Sequence, residues 1–570
     1  MPIDLWVTHN LDKLFPESRK PAGAAESIAL KAARNETEDA QVALHVPRGM
    51  EIREASFSFS DLVGRQGQRI PKRNLAAWWE WYVYVLNNPP QNREPSSYLR
   101  KAPAFFADAF LEEKTIAIRD EWTQPLWVSV TVPKGTPPGE YSGALTIDLV
   151  DRNGERHHFE VPIALSVWPF TLPDQPQLHH TEWFWPVKLA RYYHLEPWSE
   201  PVWRWIEKAA ADMARHKADM ILTPFSQLVQ TTKGARGFKY DFSRLDRWVR
   251  TFRKAGVEWI EGAHVAGRGG GWESDFVWRR LPVMGPDGGR LDTSRGKMSE
   301  EQFEPYVEHF LRAIHAHLRQ KGWAKRYVQH VADEPIPVNE ESWRYRAAKV
   351  RQWLPGVPTI DAIETEGLHG YVDWPVPQIQ EVGPERRRHA DEDLWTYTCL
   401  VPQGQYPNRF LDYESIRNRI IFWLCWSLGL KGFLHWGYNS WQAWQGVPVD
   451  IDISPWTDAS AGSIYCADRN PLPAGDPHIV YPGKEDFCSS VRWEVVRKGC
   501  EDFEYLHLLE QAAESSKKGD ARARSAAKRL LARVKKDIAA TPLLHTRDDL
   551  LLLSVREQAG ELLAKLAPGE

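Results

Sequence analysis

The sequence has little that would staple a fold or anchor it to a surface. Its five cysteines (Cys399, Cys425, Cys466, Cys488 and Cys500) are odd in number and never form a Cys-x-x-Cys pair. That argues against a disulfide framework and against a structural zinc site. No apolar run of about 18 residues occurs, so no membrane span is expected. The opening Met-Pro-Ile-Asp-Leu-Trp-Val has no basic segment followed by an apolar one. No signal peptide is therefore read and a cytoplasmic location is expected, although a chain trimmed of its signal would look the same. Neither charge sign is in excess, with 76 acidic against 72 basic residues. Nucleic acid and anionic membranes thus have no global ground as partners. The run Arg386-Arg387-Arg388 reads as a solvated loop. His157-His158 and His179-His180 lack partners at ligand spacing, and Asp450, Asp452 and Asp458 do not match a calcium loop. No metal and no cofactor are expected.

Tryptophan, by contrast, is abundant: there are 28, many in clusters such as Trp183/Trp185, Trp423/Trp426 and Trp436/Trp441/Trp444. Core packing accounts for such rings. So does the lining of a sugar site, because indole faces stack on the apolar C–H faces of pyranose rings.

At 570 residues the chain exceeds one ordinary core, and two or three domains are expected. Residues 1–174 read as a β-sandwich: 41–46, 126–132, 144–150 and 158–165 are short, partly alternating strands parted by turn signals. A Pro-rich stretch, 169–176, reads as the linker. Strand and helix patterns then alternate. Strands are expected at 181–185, 220–223, 257–264, 327–332, 359–363, 370–374, 394–400 and 432–437. Helical periods such as Phe303, Val307, Phe310, Ile314 and Leu318 lie between several of them. Eight units over about 270 residues match a (β/α)8 TIM barrel, placed at 178–511. Residues 446–484 are rich in Pro, Gly and Asp and would form a loop over the active face. Residues 512–570 read as a C-terminal helical extension.

The most informative stretch, 327–335, reads Tyr-Val-Gln-His-Val-Ala-Asp-Glu-Pro. An apolar strand ends in two adjacent carboxylates, Asp333 and Glu334, and Pro335 stops it. A solvated turn is the commonest meaning of Asp-Glu-Pro. At a barrel strand's C-terminal end, where active residues sit, it can carry chemistry. Adjacent strand residues point to opposite faces, so both carboxylates can serve one substrate only if the backbone departs from strand geometry there. Most retaining glycosidases set their two carboxylates about 5 Å apart on different strands. Neighbouring residues fit substrate-assisted hydrolysis better. There the sugar's 2-acetamido oxygen attacks the anomeric carbon, one carboxylate holds the acetamido N–H, and the other protonates the leaving oxygen.

Two more segments sharpen the picture. Residues 429–441, Gly-Leu-Lys-Gly-Phe-Leu-His-Trp-Gly-Tyr-Asn-Ser-Trp, are a strand ending in aromatics and an amide. Residues 490–506 carry Arg492, Glu494, Arg497 and Glu501 on an expected helix, where they read as helix ion pairs. These segments, with 331–335, resemble glycoside hydrolase family 123 and its wider group of uncharacterised relatives, over roughly residues 180–510. The β-rich first domain also looks like theirs. The resemblance implies a retaining exo-β-N-acetylgalactosaminidase using substrate-assisted catalysis, with Asp333 as oxazolinium stabiliser and Glu334 as acid/base. His435 departs from the pattern, standing where an aromatic or apolar residue is expected.

Strand ends supply the candidate sugar-binding residues: Trp183 and Trp185 from the first, His264 from the third, Trp395 and Tyr397 from the seventh, and Trp436, Tyr438, Asn439 and Trp441 at or after the eighth. Each has packing between strands and helices as its alternative. The expected partner is a carbohydrate with a terminal β-linked N-acetylhexosamine. A glycosidase for another sugar, such as β-N-acetylglucosamine, and a non-catalytic carbohydrate-binding protein remain the competing readings. Oligomeric state is unknown at this level.

Overall fold

The computed structural model describes residues 2–86, 88, 97–368, 370–383, 393–441, 454–457, 459, 464–465, 470–515 and 520–567. Arg386-Arg387-Arg388, Trp444, Asp450, Asp452, Asp458, Cys466 and much of the expected 446–484 loop lie outside the described residues.

The first unit is two packed sheets. One has five strands, with Glu36–Val46 and Trp122–Val132 at its centre; the other is built around Gly139–Asp151 and Arg156–Thr171. Their inner faces meet in a core that includes Val42, Leu44, Trp79, Leu126, Val128, Leu145 and Ile163. Alternation along the strands places these residues on one face of each sheet.

The second unit contains eight short parallel strands: β1 (His179–Glu182), β2 (Met220–Thr223), β3 (Trp259–Gly262), β4 (Tyr327–Gln329), β5 (Ile360–Ile363), β6 (Trp374–Pro377), β7 (Trp395–Tyr397) and β8 (Gly432–His435). Six form one sheet in the order β4-β3-β2-β1-β8-β7, and β5 and β6 form a separate pair. Single parallel bridges, Gln329 to Thr359 and Gln378 to Tyr397, tie the pair to β4 and β7. The expected strand 370–374 falls earlier than β6 and overlaps it only at Trp374. Among the described residues, only the 3-10 turn Glu366–Leu368 stands between β5 and β6, and only the 3-10 turn Ile379–Glu381 between β6 and β7.

The helices follow their sequence signals. Glu300–Gln320 opens with a Ser299/Gln302 capping box. Ser243–Ala255 ends at Gly256, whose φ of +111° suits a residue without a Cβ. Met220, Leu222, Val328, Ile360, Ala362, Val376 and Leu434, all from these strands, form a separate apolar cluster.

Helix Val491–Glu514 corrects one expectation. Within it, Arg497 pairs with Glu494 and Lys498 with Glu501, but its cations chiefly reach into the first unit. Arg492 bonds Asp108, Arg497 bonds Asp39 at 2.5 Å, and Lys498 meets Glu36 and Glu38, each at 2.8 Å. Arg556, from the last helix (Asp549–Leu566), joins the same Glu36 and Glu38 and also Asp502. Burial disfavours charge on Glu36, but Arg556 and Lys498 hold it well below the usual carboxylate range. No helix among the described residues is long and apolar enough to cross a membrane.

Candidate active site

β4 ends three residues short of its expected limit, and the cause is a side chain. The Asp361 carboxylate, from β5, accepts from the backbone N–H of Val331 at 3.0 Å and of Ala332 at 3.1 Å. Those amides are thereby taken from a strand ladder. Asp361 also accepts from the Trp343 indole at 3.1 Å and from His330 Nδ1 at 2.9 Å. Burial and this carboxylate's many donors act in opposite directions, and Asp361 is pushed up to about 6. The chain then turns through Asp333 to Glu334, whose φ is +47°. A left-handed non-glycine residue is uncommon, and one on a functional side chain is a site where strain is held by its surroundings. Here the backbone departs from strand geometry between two adjacent carboxylates. Arg268 clamps the turn, donating to the carbonyl of Asp333 at 3.1 Å and that of Glu334 at 2.6 Å.

The two acids differ in their surroundings. Glu334 Oε1 accepts from the Tyr397 hydroxyl at 2.6 Å. Burial pushes Glu334 up to about 8, with Asp333 and Glu364 adding repulsion. Asp333 is also raised by burial, but His330, Arg279 and Arg268 pull it back toward the charged form. Like charges add to the rise at Glu334 while cations oppose it at Asp333, an asymmetry that makes Glu334 the candidate proton donor and Asp333 the candidate anion.

Beneath them runs a buried relay. His330 Nε2 lies 2.6 Å from Glu261 Oε1, and despite burial its two carboxylate partners raise it to about 9. Glu261 in turn accepts from Thr181 and from the Trp183 indole at 2.8 Å. His264 Nε2 is 3.7 Å from Asp333 Oδ1 and 3.5 Å from Asp361 Oδ1, and burial drives its pKa far down. His264, His330 and Asp361 bring ligand-type atoms within 4.8 Å of one another. A cation would need a neutral His330 and a free Asp361 oxygen. A protonated His330 and four donors on Asp361 suit a hydrogen-bonded support instead.

The candidate sugar-binding residues separate into three groups. His264 and Tyr397 adjoin the acids, and Trp183 stands behind them, meeting the rings of His264 at 5.5 Å and His330 at 5.6 Å. Trp185 and Trp436 are half-buried beside Trp183. The Trp185 indole donates to the Trp436 carbonyl at 2.9 Å, and Asn439 Oδ1 accepts from the Trp185 amide at 2.8 Å, so Asn439 positions Trp185 from behind. Trp395, Tyr438 and Trp441 stand away from the acids. Trp395 is fully buried at the first residue of β7, stacked on His179 and Trp374 at the opposite strand ends; a Cβ on Gly432 would come within 2.3 Å of its ring. Tyr438 donates to Asp212 at 2.7 Å and Trp441 to the Val480 carbonyl at 2.8 Å, both buried against helices. These three pack the fold. His435 ends β8 fully buried, 3.4 Å from Asp476, and burial keeps it neutral.

Sequence reading missed Arg268, Asp361, Glu364 and Gln378. Glu364 follows β5, is raised by burial, and accepts from the Gln378 amide at 2.5 Å. Its strand-end position was the available signal. Gln378 follows a strand hidden by its prolines.

Residues 183–509 match the family model described as glycoside hydrolase 123, catalytic domain, and residues 10–149 match the glycoside hydrolase 123 N-terminal domain. A solved structure of a family 123 glycoside hydrolase from Clostridium perfringens aligns over 98% of this chain and 98% of its own, at 15% identity and a TM-score of 0.73. A GH10 xylanase from Thermobacillus composti aligns over 57% of this chain and 97% of its own, at 11% identity and TM-score 0.31. A GH2 β-galacturonidase from Eisenbergiella tayi aligns over 82% and 69%, at 9% identity and TM-score 0.31. A search of curated proteins found no match. The Clostridium perfringens likeness shows a shared fold of a sheet-rich first domain and a catalytic domain, and the family models show the rest: this chain belongs to glycoside hydrolase family 123 and is a glycoside hydrolase acting on carbohydrate.

Proposed function

We propose that this hydrolase removes terminal β-linked N-acetylhexosamine, with N-acetylgalactosamine preferred, by substrate-assisted catalysis at Asp333 and Glu334. The observation that carries the reading is the turn itself: two adjacent carboxylates with a left-handed Glu334, clamped by Arg268. In the first step the acetamido oxygen bonds to the anomeric carbon. The bond to the leaving oxygen breaks, and Glu334 gives that oxygen its proton. Ionised Asp333 holds the acetamido N–H and stabilises the oxazolinium ion. In the second step Glu334 takes a proton from water as water adds to the anomeric carbon and the ring opens, with net retention. Tyr397 and the Trp183/Trp185 pair would enclose the sugar. We take the frame for this to be a (β/α)8 barrel, a reading supported by the eight parallel strands and by the two parallel bridges between the sheets. The Clostridium perfringens relative is described in terms of glycolipid glycan hydrolysis, and we carry that substrate class over. The galacto preference rests on the family likeness alone.

One observation favours a second reading. Glu364 directly follows β5, and its amide donates to the Pro335 carbonyl, just after the Asp333-Glu334 turn, at 3.3 Å. Glu334 and Glu364 on neighbouring strands would then be acid and nucleophile of a double displacement. Its raised pKa, set by burial, disfavours an anionic nucleophile there.

Comparing p-nitrophenyl β-glycosides of N-acetylgalactosamine, N-acetylglucosamine and galactose tests the assignment. Hydrolysis confined to the two N-acetylated sugars is expected. Strong cleavage of the plain galactoside refutes the mechanism, and a preference for N-acetylglucosamine removes only the sugar assignment.

A further inference from the structure

We propose that Trp272 is the platform for the sugar on the leaving side of the cleaved bond, a saccharide subsite that rests on the glycosidase reading above. After β3 the chain passes His264 and forms a hairpin of Ala266–Arg268 and Phe276–Trp278, with Gly269-Gly270-Gly271-Trp272 at its tip. The hairpin starts on the catalytic strand ends, for the Ala266 amide donates to the Val331 carbonyl at 2.9 Å.

Trp272 is 46% exposed, yet it is held. Its carbonyl accepts from Arg268 Nε at 2.8 Å and from the Asn339 amide at 3.4 Å. The same Arg268 guanidinium lies 3.7 Å over the indole centre while it clamps the carbonyls of Asp333 and Glu334. Arg295 fixes the hairpin tip through the Gly269 carbonyl at 2.9 Å. One cation thus registers an exposed indole against the turn that carries the acid.

Among the described residues the other exposed aromatics are held differently, Tyr371 by Arg344 over its ring. Trp81 and Phe105 belong to the first domain, and Tyr345 donates to Glu304 on the neighbouring helix. Arg268 covers one face of the Trp272 ring, and the 46% exposure of the residue leaves surface for a ligand. A pyranose offers apolar C–H groups to such a face, and a tryptophan spends little side-chain freedom in presenting it. The sugar being cleaved is enclosed deeper, by Trp183 and Tyr397. A ring at the rim, beside the residue that protonates the leaving oxygen, meets what departs.

The test compares two substrates without aromatic leaving groups: a methyl β-galactoside carrying β-1,3-linked N-acetylgalactosamine, and β-N-acetylgalactosaminyl fluoride. The fluoride has nothing to stack on the platform. In Trp272→Ala the ratio of kcat/KM for disaccharide over fluoride should fall about tenfold or more, mostly through KM, since an aromatic anchor covered by its ligand commonly carries that much binding. Trp272→Phe should recover most of the ratio. An unchanged ratio in Trp272→Ala, whether both rates fall or neither does, overturns the subsite and leaves the glycosidase reading intact. Wild-type enzyme inactive on both substrates overturns the N-acetylgalactosaminidase reading and the subsite argued on it. Residual fluoride cleavage by the variant certifies that it is folded.

Discussion

At the scale of single residues, Glu334 and Asp333 should divide the pH profile between them. A general acid works only while protonated, so kcat/KM should fall as pH rises through about 8, the value to which burial and Asp333 push Glu334. The acid limb should fall where Asp333 gains its proton, above the ordinary aspartate range. Glu334→Gln should remove the alkaline limb and cost about 10²–10⁴-fold on substrates with poor leaving groups, and far less on activated ones. Equal losses on both kinds of substrate would show that Glu334 is not the donor. Asp333→Asn should lower kcat with little change in KM, as expected for an interaction made in the transition state. Much of this scale was legible. Asp333, Glu334 and Tyr397 could be placed because a strand end is readable from where an apolar run meets a breaker. Trp395 shows the limit: it shares a face with Tyr397, yet two residues along a strand are about 6–7 Å of depth. Sequence gives the face of a barrel strand but not the layer.

At the scale of elements, Asp361 sets where β4 ends and so where the Asp333-Glu334 turn begins. Asp361→Asn keeps an acceptor oxygen and removes the charge that faces His330. The expected result is a fall in kcat of up to about 10²-fold from a displaced turn, with KM nearly kept and near-native circular dichroism. Unchanged kcat would remove Asp361 from the positioning role. β6 shows why one strand was misplaced. Its sequence is Trp-Pro-Val-Pro, and prolines argue against a strand. The Trp374 amide bonds the Thr359 carbonyl on the β5 side, so Pro375 and Pro377 turn their missing donors toward β7. That edge keeps a single bridge, and the sheet breaks there.

At the scale of the whole molecule, the two domains and the last helix are joined by a buried charge network. Lys498 is fully buried with Glu36, Glu38 and Glu501, and Arg556 closes the same cluster from the C-terminal helix. Removing one partner strands the others without water, so Arg556→Ala should destabilise the protein by about 3–5 kcal/mol. Thermal melts and limited proteolysis should show the last helix released first; an unaltered melt would contradict a coupled assembly. The two-domain plan was legible from the switch between alternating and helical periods. The network was not, since charges on one helix read as partners for each other when the partner surface is more than 400 positions away in sequence, as Asp39 is from Arg497.

The most direct test of the mechanism varies the nucleophile. If the substrate's acetamido oxygen attacks, replacing its methyl hydrogens by one, two and three fluorines must weaken the attack step by step. The account predicts that kcat/KM for the aryl β-N-acylhexosaminides falls steeply and log-linearly across that series. A rate nearly independent of fluorination would place the nucleophile on the enzyme, with Glu364 the first residue to test, and would contradict substrate-assisted catalysis at Asp333 and Glu334.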